Sequence, residues 1–240
     1  MRALEWTAPH GFSIRAAGQG EIAEFKRLVK AMNVPFEPTE AEIEDGSTGA
    51  FLRAAFLDGK RMAVLEAASR VLVDSDSYRS FYAGVSLALV AVDSSSRVVG
   101  LLQAIPPGQV INGLLESGWP LQDSIPLGIK VAKVSALWVD EEARRAGLGS
   151  ALLDSCCDVY FAAGFSLVYG NFRLSSPIDL ESFYGATGFR ILPPGDRIPV
   201  GTGQGRIVDI GTEPDQKIFY MTRGNWAKLD RSKPKLDEPI

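Results

Sequence analysis

Histidine and cysteine are nearly missing from this 240-residue sequence. The single histidine, His10, sits in an unpatterned leader. A histidine-based zinc site or a Ser-His-Asp triad needs an imidazole embedded in the fold, so neither is expected, and no metal is. The two cysteines, Cys156 and Cys157, are adjacent. Neighbouring cysteines almost never close on each other, which argues against a disulfide scaffold and for a reducing, cytoplasmic setting. Basic charge is not in excess: Lys+Arg 25 against Asp+Glu 29 gives a net charge of -4, with no overall field to gather nucleic acid. Long apolar runs are also missing. The longest uncharged one, from Tyr82 to Val92, is about half of what a membrane-spanning helix needs, so no membrane partner is expected. Residues 1–12 carry Glu5 and Pro9 and lack a signal-peptide core. At 46% hydrophobic the chain is nevertheless too apolar to be disordered.

No repeat or low-complexity tract interrupts the sequence, which reads as one continuous α/β pattern. A short strand is expected at 12–16. A helix over 20–32 follows, with Ile22, Phe25, Leu28, Val29 and Met32 on one face. Residues 37–46 hold five acids and no base, and Thr39 with Glu42 can cap a short helix there. Helical patterns cover 50–57 and 61–73. Two strand-like runs, 81–92 and 97–105, flank Asp93-Ser94-Ser95-Ser96 and read as a hairpin. A loop with a short helix at 110–116 leads to a strand at 130–139, a helix at 147–163 and a strand at 166–172. Ser176-Pro177-Ile178-Asp179 has the chemistry of a helix start, with Ser176 as N-cap. Strands at 189–192 and 217–222 complete the pattern, and 225–240 reads as a flexible tail.

The chemistry lies in the passage from the strand ending Leu137-Trp138-Val139 to the helix beginning near Gly147. Between them runs Arg144-Arg145-Ala146-Gly147-Leu148-Gly149-Ser150. Unpaired N–H groups and the positive end of a helix dipole would face a diphosphate, the glycines would let it approach closely, and the arginines add charge. The spacing fits neither a P-loop nor the dinucleotide fingerprint. Arg144-x-x-Gly147-x-Gly149 does resemble the pyrophosphate loop of the GNAT superfamily of N-acetyltransferases. Phe183-Tyr184-Gly185-Ala186-Thr187-Gly188-Phe189 is similar to that family's second motif, and the two stand in the family's order.

The resemblance implies a mixed, mostly antiparallel central sheet flanked by helices, with the cofactor cleft between its two central strands. It implies one domain over 1–224 with insertions at about 37–80 and 195–216. It also implies acetyl-CoA as co-substrate, held by Leu137, Trp138, Val139, Arg144, Arg145, Ala146, Gly147, Leu148, Gly149, Ser150 and Asn171. The reaction it implies moves an acetyl group directly to an amine, on a small molecule or peptide, through a tetrahedral intermediate. Such an amine must first lose a proton. The Val139 N–H would stabilise the oxyanion and Tyr184 would protonate the leaving thiolate. Glu141 and Pro177 depart from the family pattern, and no acid lies within either central strand, so the base is water or an acid from 37–45. The carboxylates Glu37, Glu40, Glu42, Glu44 and Asp45 would favour a cationic acceptor; otherwise they are a solvated face.

Plainer readings stand beside these. Tyr184 can be a core aromatic, and Asn171 can simply end its strand. Cys156 and Cys157 read as buried packing, and Gly201–Arg206 as a turn with no helix after it. The competing function is a non-catalytic acyl-CoA-binding module whose extra segments bind a partner.

Overall fold

The structure, a computed structural model, describes residues 4–202 and 205–229. In chain order the amino-terminal half contains β1 (Glu5–Thr7), β2 (Ser13–Ala16), α1 (Ile22–Ala31), α2 (Glu40–Glu44), α3 (Ala50–Asp58), α4 (Met62–Val73), α5 (Tyr78–Gly84), β3 (Leu87–Val92) and β4 (Val98–Ile105). There follow α6 (Gly108–Glu116), α7 (Leu121–Lys130), β5 (Val131–Val139), α8 (Leu148–Ala162), β6 (Leu167–Arg173), α9 (Leu180–Ala186), β7 (Arg190–Leu192), β8 (Ile198–Gly201), β9 (Ile207–Ile210), β10 (Gln216–Thr222) and α10 (Arg223–Trp226). One sheet runs in the order β1-β2-β3-β4-β5-β6-β10-β7. Neighbours are antiparallel except β5 and β6, which are joined through α8 and run parallel.

Side-chain alternation divides the sheet into two faces. On one, α8, α3 and α4 cover Leu89, Leu102, Ala104, Val134 and Val168. On the other, α1 covers Ala88, Val90, Leu101 and Ala136 through Phe25, Leu28 and Val29. Further along that second face, α6, α7 and the β8–β9 hairpin bury Val131, Leu167, Tyr169 and Ile218. Between the two apolar patches of the second face lie the polar residues of the central strands.

Three local expectations are corrected. Residues 81–92 are not a single strand, because α5 occupies 78–84 before β3 begins at Leu87. Its last four residues, Phe81 to Gly84, are all buried, and a run buried on every side carries no period to separate helix from strand. The stretch after β4 is α6 and α7 rather than mostly loop; Pro126 lies inside α7 and masked its helical pattern. The cap of α9 is Asp179, not Ser176: its carboxylate accepts the Ser182 N–H at 3.0 Å, so the helix starts at Leu180 and leaves Pro177 outside.

The capping box expected at Thr39 is present, with the Thr39 N–H donating to Glu42 at 2.8 Å. The segment expected as an insertion at 195–216 carries β8 and β9, which pair antiparallel. It is fastened by Arg206, 3.2 Å from the buried Asp123 and stacked over Trp119 at 5.1 Å. Of the turn expected at Gly201–Arg206, Gly201 ends β8, and Gly203 and Gln204 lie outside the described residues, as do 230–240 of the expected tail. The packed chain runs past residue 224, for Trp226 lies against Phe161 with ring centroids 6.0 Å apart. No helix of the described residues is long and apolar enough to cross a membrane.

Candidate active site

The two parallel strands pair over four rungs, Val131 with Leu167 to Val134 with Gly170, and then part. Beyond Val134, β5 stays on β4 while β6 follows β10, where Gly170 faces Phe219 and Arg173 faces Gln216. A wedge therefore opens between strands that are both still extended. The cause is local. Ser135 is an extra residue in β5, because Val134 faces Ala104 and Ala136 faces Gln103, and such a bulge bends its strand. It also exchanges the faces, so Ala132 and Val134 share a side with Leu137 and Val139 rather than with Ala136.

The edge that β5 presents to the wedge follows from one hydrogen bond. The Asp140 N–H donates to Val99 O on the β4 side at 2.8 Å. By alternation the N–H and C=O groups of Val139 and Leu137 point the other way, into the wedge. Arg144 Nε donates to Val139 O at 3.2 Å from that side. Trp138, between them, packs with the α1 cluster on the second face.

At the wide end of the wedge, the chain turns into α8. Arg145 (φ 63°) and Gly147 (φ 70°) are both left-handed, and Gly147, as N-cap, supplies no side chain to the helix end. The N–H groups of Leu148, Gly149 and Ser150 thus have no intrahelical acceptor. Arg144 and Arg145 are exposed beside them, and Ala146 is half-buried. A Cβ on Gly147 would meet only Pro9 Cγ, at 3.6 Å, so the space in front of it is open. Gly149 is closed in: a Cβ there would lie 3.1 Å from the Phe183 ring and 3.7 Å from Val139 Cγ2. The second motif is thereby brought onto the first.

Tyr184 follows Phe183 and is buried, its ring stacked on Phe219 at 3.6 Å and 10°. Phe219 lies over Gly170, where a Cβ would be 2.3 Å from the ring and 2.9 Å from Val134 O. The aromatic stack therefore stands at the last paired rung, where the wedge begins. Burial pushes the Tyr184 phenol well above its ordinary pKa, keeping it protonated at neutral pH. Asn171 is placed differently from the others. It shares the face of Tyr169, opposite Gly170, and its amide donates to Gln216 Oε1 at 2.7 Å.

Sequence reasoning missed a polar group on the second face. Gln103, fully buried, accepts the Glu37 N–H at 3.1 Å and donates to Pro35 O at 3.0 Å and to Ser135 Oγ at 2.9 Å. The Glu37 carboxylate in turn accepts the Tyr82 hydroxyl. The loop before α2 is thus tied to the bulge. Its visible signal was polar residues interrupting apolar strands: Gln103 in β4, Lys133 and Ser135 in β5. Of the acids expected to form a field, Glu40 is paired with Lys26, and Glu42 with Arg79 at 2.6 Å. Cys156 and Cys157 are buried in α8. Among the described residues no cluster of metal-ligating side chains occurs.

Comparison with known proteins gives a family. Similar solved structures include Ard1 from Thermoplasma volcanium, at 16% identity and TM-score 0.43, covering 88% of this chain and 97% of that one. A variant of the spermidine N-acetyltransferase SpeG from Vibrio cholerae has 16% identity and TM-score 0.48, covering 92% and 98%. An acetyltransferase of the GNAT family from Staphylococcus aureus Mu50 has 14% identity and TM-score 0.45, covering 88% and 99%. No curated protein matches. The profile described as acetyltransferase (GNAT) family matches residues 61–189, more than half of the sequence. The chain belongs to the acetyltransferase (GNAT) family.

Proposed function

We propose that this protein transfers the acetyl group of acetyl-CoA directly to an amine on a small molecule or peptide. The observation that carries the reading is the wedge between β5 and β6, with an uncapped helix terminus at its wide end and unpaired strand N–H groups along one side. An elongated thioester ending in a diphosphate matches those features in order. The open N–H groups of Leu148, Gly149 and Ser150 and the exposed Arg144 and Arg145 suit the diphosphate, and Gly147 leaves room for it. The edge of β5 at Leu137 and Val139 suits the amide-bearing arm.

In the reaction the amine nitrogen bonds to the acetyl carbon, the carbon–sulfur bond breaks, the amine gives up a proton and the thiolate gains one. A backbone N–H of β5 in the wedge stabilises the oxyanion that forms on the acetyl oxygen. Tyr184, kept protonated by burial and standing at the narrow end, donates to the departing sulfur. Asn171 acts through Gln216 to hold β6 on β10 and so keeps the wedge open. The amine approaches from the second face, between the α1 cluster and the β8–β9 cluster. The buried cysteine thiols suit a reducing compartment, and we place the activity in the cytoplasm.

The test is release of free thiol from acetyl-CoA with and without a panel of amines. Amine-dependent release at least about tenfold above slow hydrolysis supports the enzyme. Tight coenzyme A binding with no release on any amine supports instead a non-catalytic acyl-CoA-binding module.

A further inference from the structure

Among the described residues, two charged side chains on the second face, Glu37 and Lys133, form no ion pair. Glu37 is anchored through its N–H to Gln103 and hence to the bulge, and its carboxylate accepts the neutral Tyr82 hydroxyl. Lys133 lies two residues before Ser135, facing Ile105 on one side and Tyr169 on the other, in the gap between the two apolar patches. It is half-buried and makes no ion pair or hydrogen bond among the described residues. Burial pushes its pKa down, and the nearby charge of Glu37 opposes that shift. The two groups therefore sense each other without touching.

A half-buried ammonium without an anion is costly, and folded proteins ordinarily pair such a group or leave it in water. Here the Glu37 backbone is tied through Gln103 to Ser135 of the bulge, and Lys133 stands two residues before Ser135, where the wedge begins. No ion pair joins the two among the described residues, which leaves both charges for a ligand that carries an ammonium and a carboxylate.

We propose that Glu37 and Lys133 together select an acceptor bearing a carboxylate close to its amine, an amino acid in chemical class, with Glu37 receiving the ammonium and Lys133 the carboxylate. The assignment rests on the acetyl-transfer reading and narrows its acceptor. A plain polyamine would satisfy Glu37 but set a cation against Lys133, at an energetic cost.

The experiment compares matched pairs that differ only in the carboxylate: phenylalanine with phenethylamine, lysine with cadaverine, and methionine with its decarboxylated amine. Acetylation by the full chain is measured as kcat/KM. The carboxylate-bearing member should be preferred by about tenfold or more. Lys133→Met should bring that ratio close to one, and Lys133→Arg should restore part of it. Glu37→Gln should lower kcat/KM for both members. A merely structural Lys133 would change melting temperature without changing the ratio. Equal rates within each pair, preference for the plain amine, or a ratio untouched by Lys133→Met would overturn the inference and leave acetyl transfer standing. Absence of transfer to every amine, with coenzyme A still bound, would overturn both.

Discussion

Replacing Gly147 by alanine separates a backbone effect from a ligand effect, because the structure predicts the first to be small. At φ 70° the residue is in the left-handed region, where an L side chain costs about 1–2 kcal/mol. The added Cβ meets only Pro9 Cγ, at 3.6 Å, an ordinary contact, so no clash is added to that strain. For a chain of this size the loss corresponds to a fall in melting temperature of about 2–8 °C. The variant should fold. In the bound state the same Cβ projects into the open space before the first turn of α8, where the diphosphate is proposed to sit. Coenzyme A affinity should fall by at least about tenfold, or about 1.4 kcal/mol. Gly164→Ala is the control, since Gly164 has φ 99° with nothing within 4 Å and lies beyond the other end of α8. Calorimetric titration of both variants with coenzyme A decides the matter. Unchanged affinity in folded Gly147→Ala, or an equal loss in Gly164→Ala, would refute the reasoning.

Other substitutions probe the narrow end of the wedge and its supports. Tyr184→Phe keeps the stack on Phe219 and should lower turnover by about 10²-fold while leaving coenzyme A affinity nearly intact. Preserved turnover with a lowered melting temperature would reduce Tyr184 to packing. Gly170→Ala drives a Cβ to 2.3 Å from the Phe219 ring and 2.9 Å from Val134 O, and should cost about 1–3 kcal/mol by denaturant titration. Gln103→Leu strips a buried partner from Glu37, Pro35 and Ser135 and should destabilise by about 2–3 kcal/mol. It should also raise the KM of the acceptor more than that of acetyl-CoA, which steady-state kinetics would resolve. Asp93 is pushed down to about 2, chiefly by the Ser95 hydroxyl and also by Arg97. A depressed carboxylate stabilises the fold above its ordinary value of about 3.9 and loses that contribution as pH falls toward 2. Asp93→Asn should therefore flatten the acid limb of a stability–pH curve over that range.

The geometry of the proposed cofactor side was legible in sequence because its features are local. Glycines that permit left-handed turns, arginines beside them and a following helix occupy consecutive positions, and so do Phe183 and Tyr184 in α9. The hairpin of β3 and β4 was legible for the same reason, through the Asp93 turn. The proposed acceptor side was not. It joins Glu37 to Gln103, 66 residues away, and Gln103 to Ser135, 32 away. Only the tertiary fold makes those contacts, and the bulge that exchanges the faces of β5 leaves no period in the sequence. Elements failed where burial erased the alternation, as in α5, or where a proline masked the helix, as in α7.

The central claim is that the acetyl group passes from coenzyme A to an amine without stopping on the protein. Its most direct test is a single-turnover reaction with isotopically labelled acetyl-CoA and an amine acceptor, quenched over time and read by mass spectrometry of both product and intact protein. The account predicts label in the amide product at every time point and none on the chain. Label appearing first on the protein, or remaining wholly in acetyl-CoA while the ligand is bound, would contradict it.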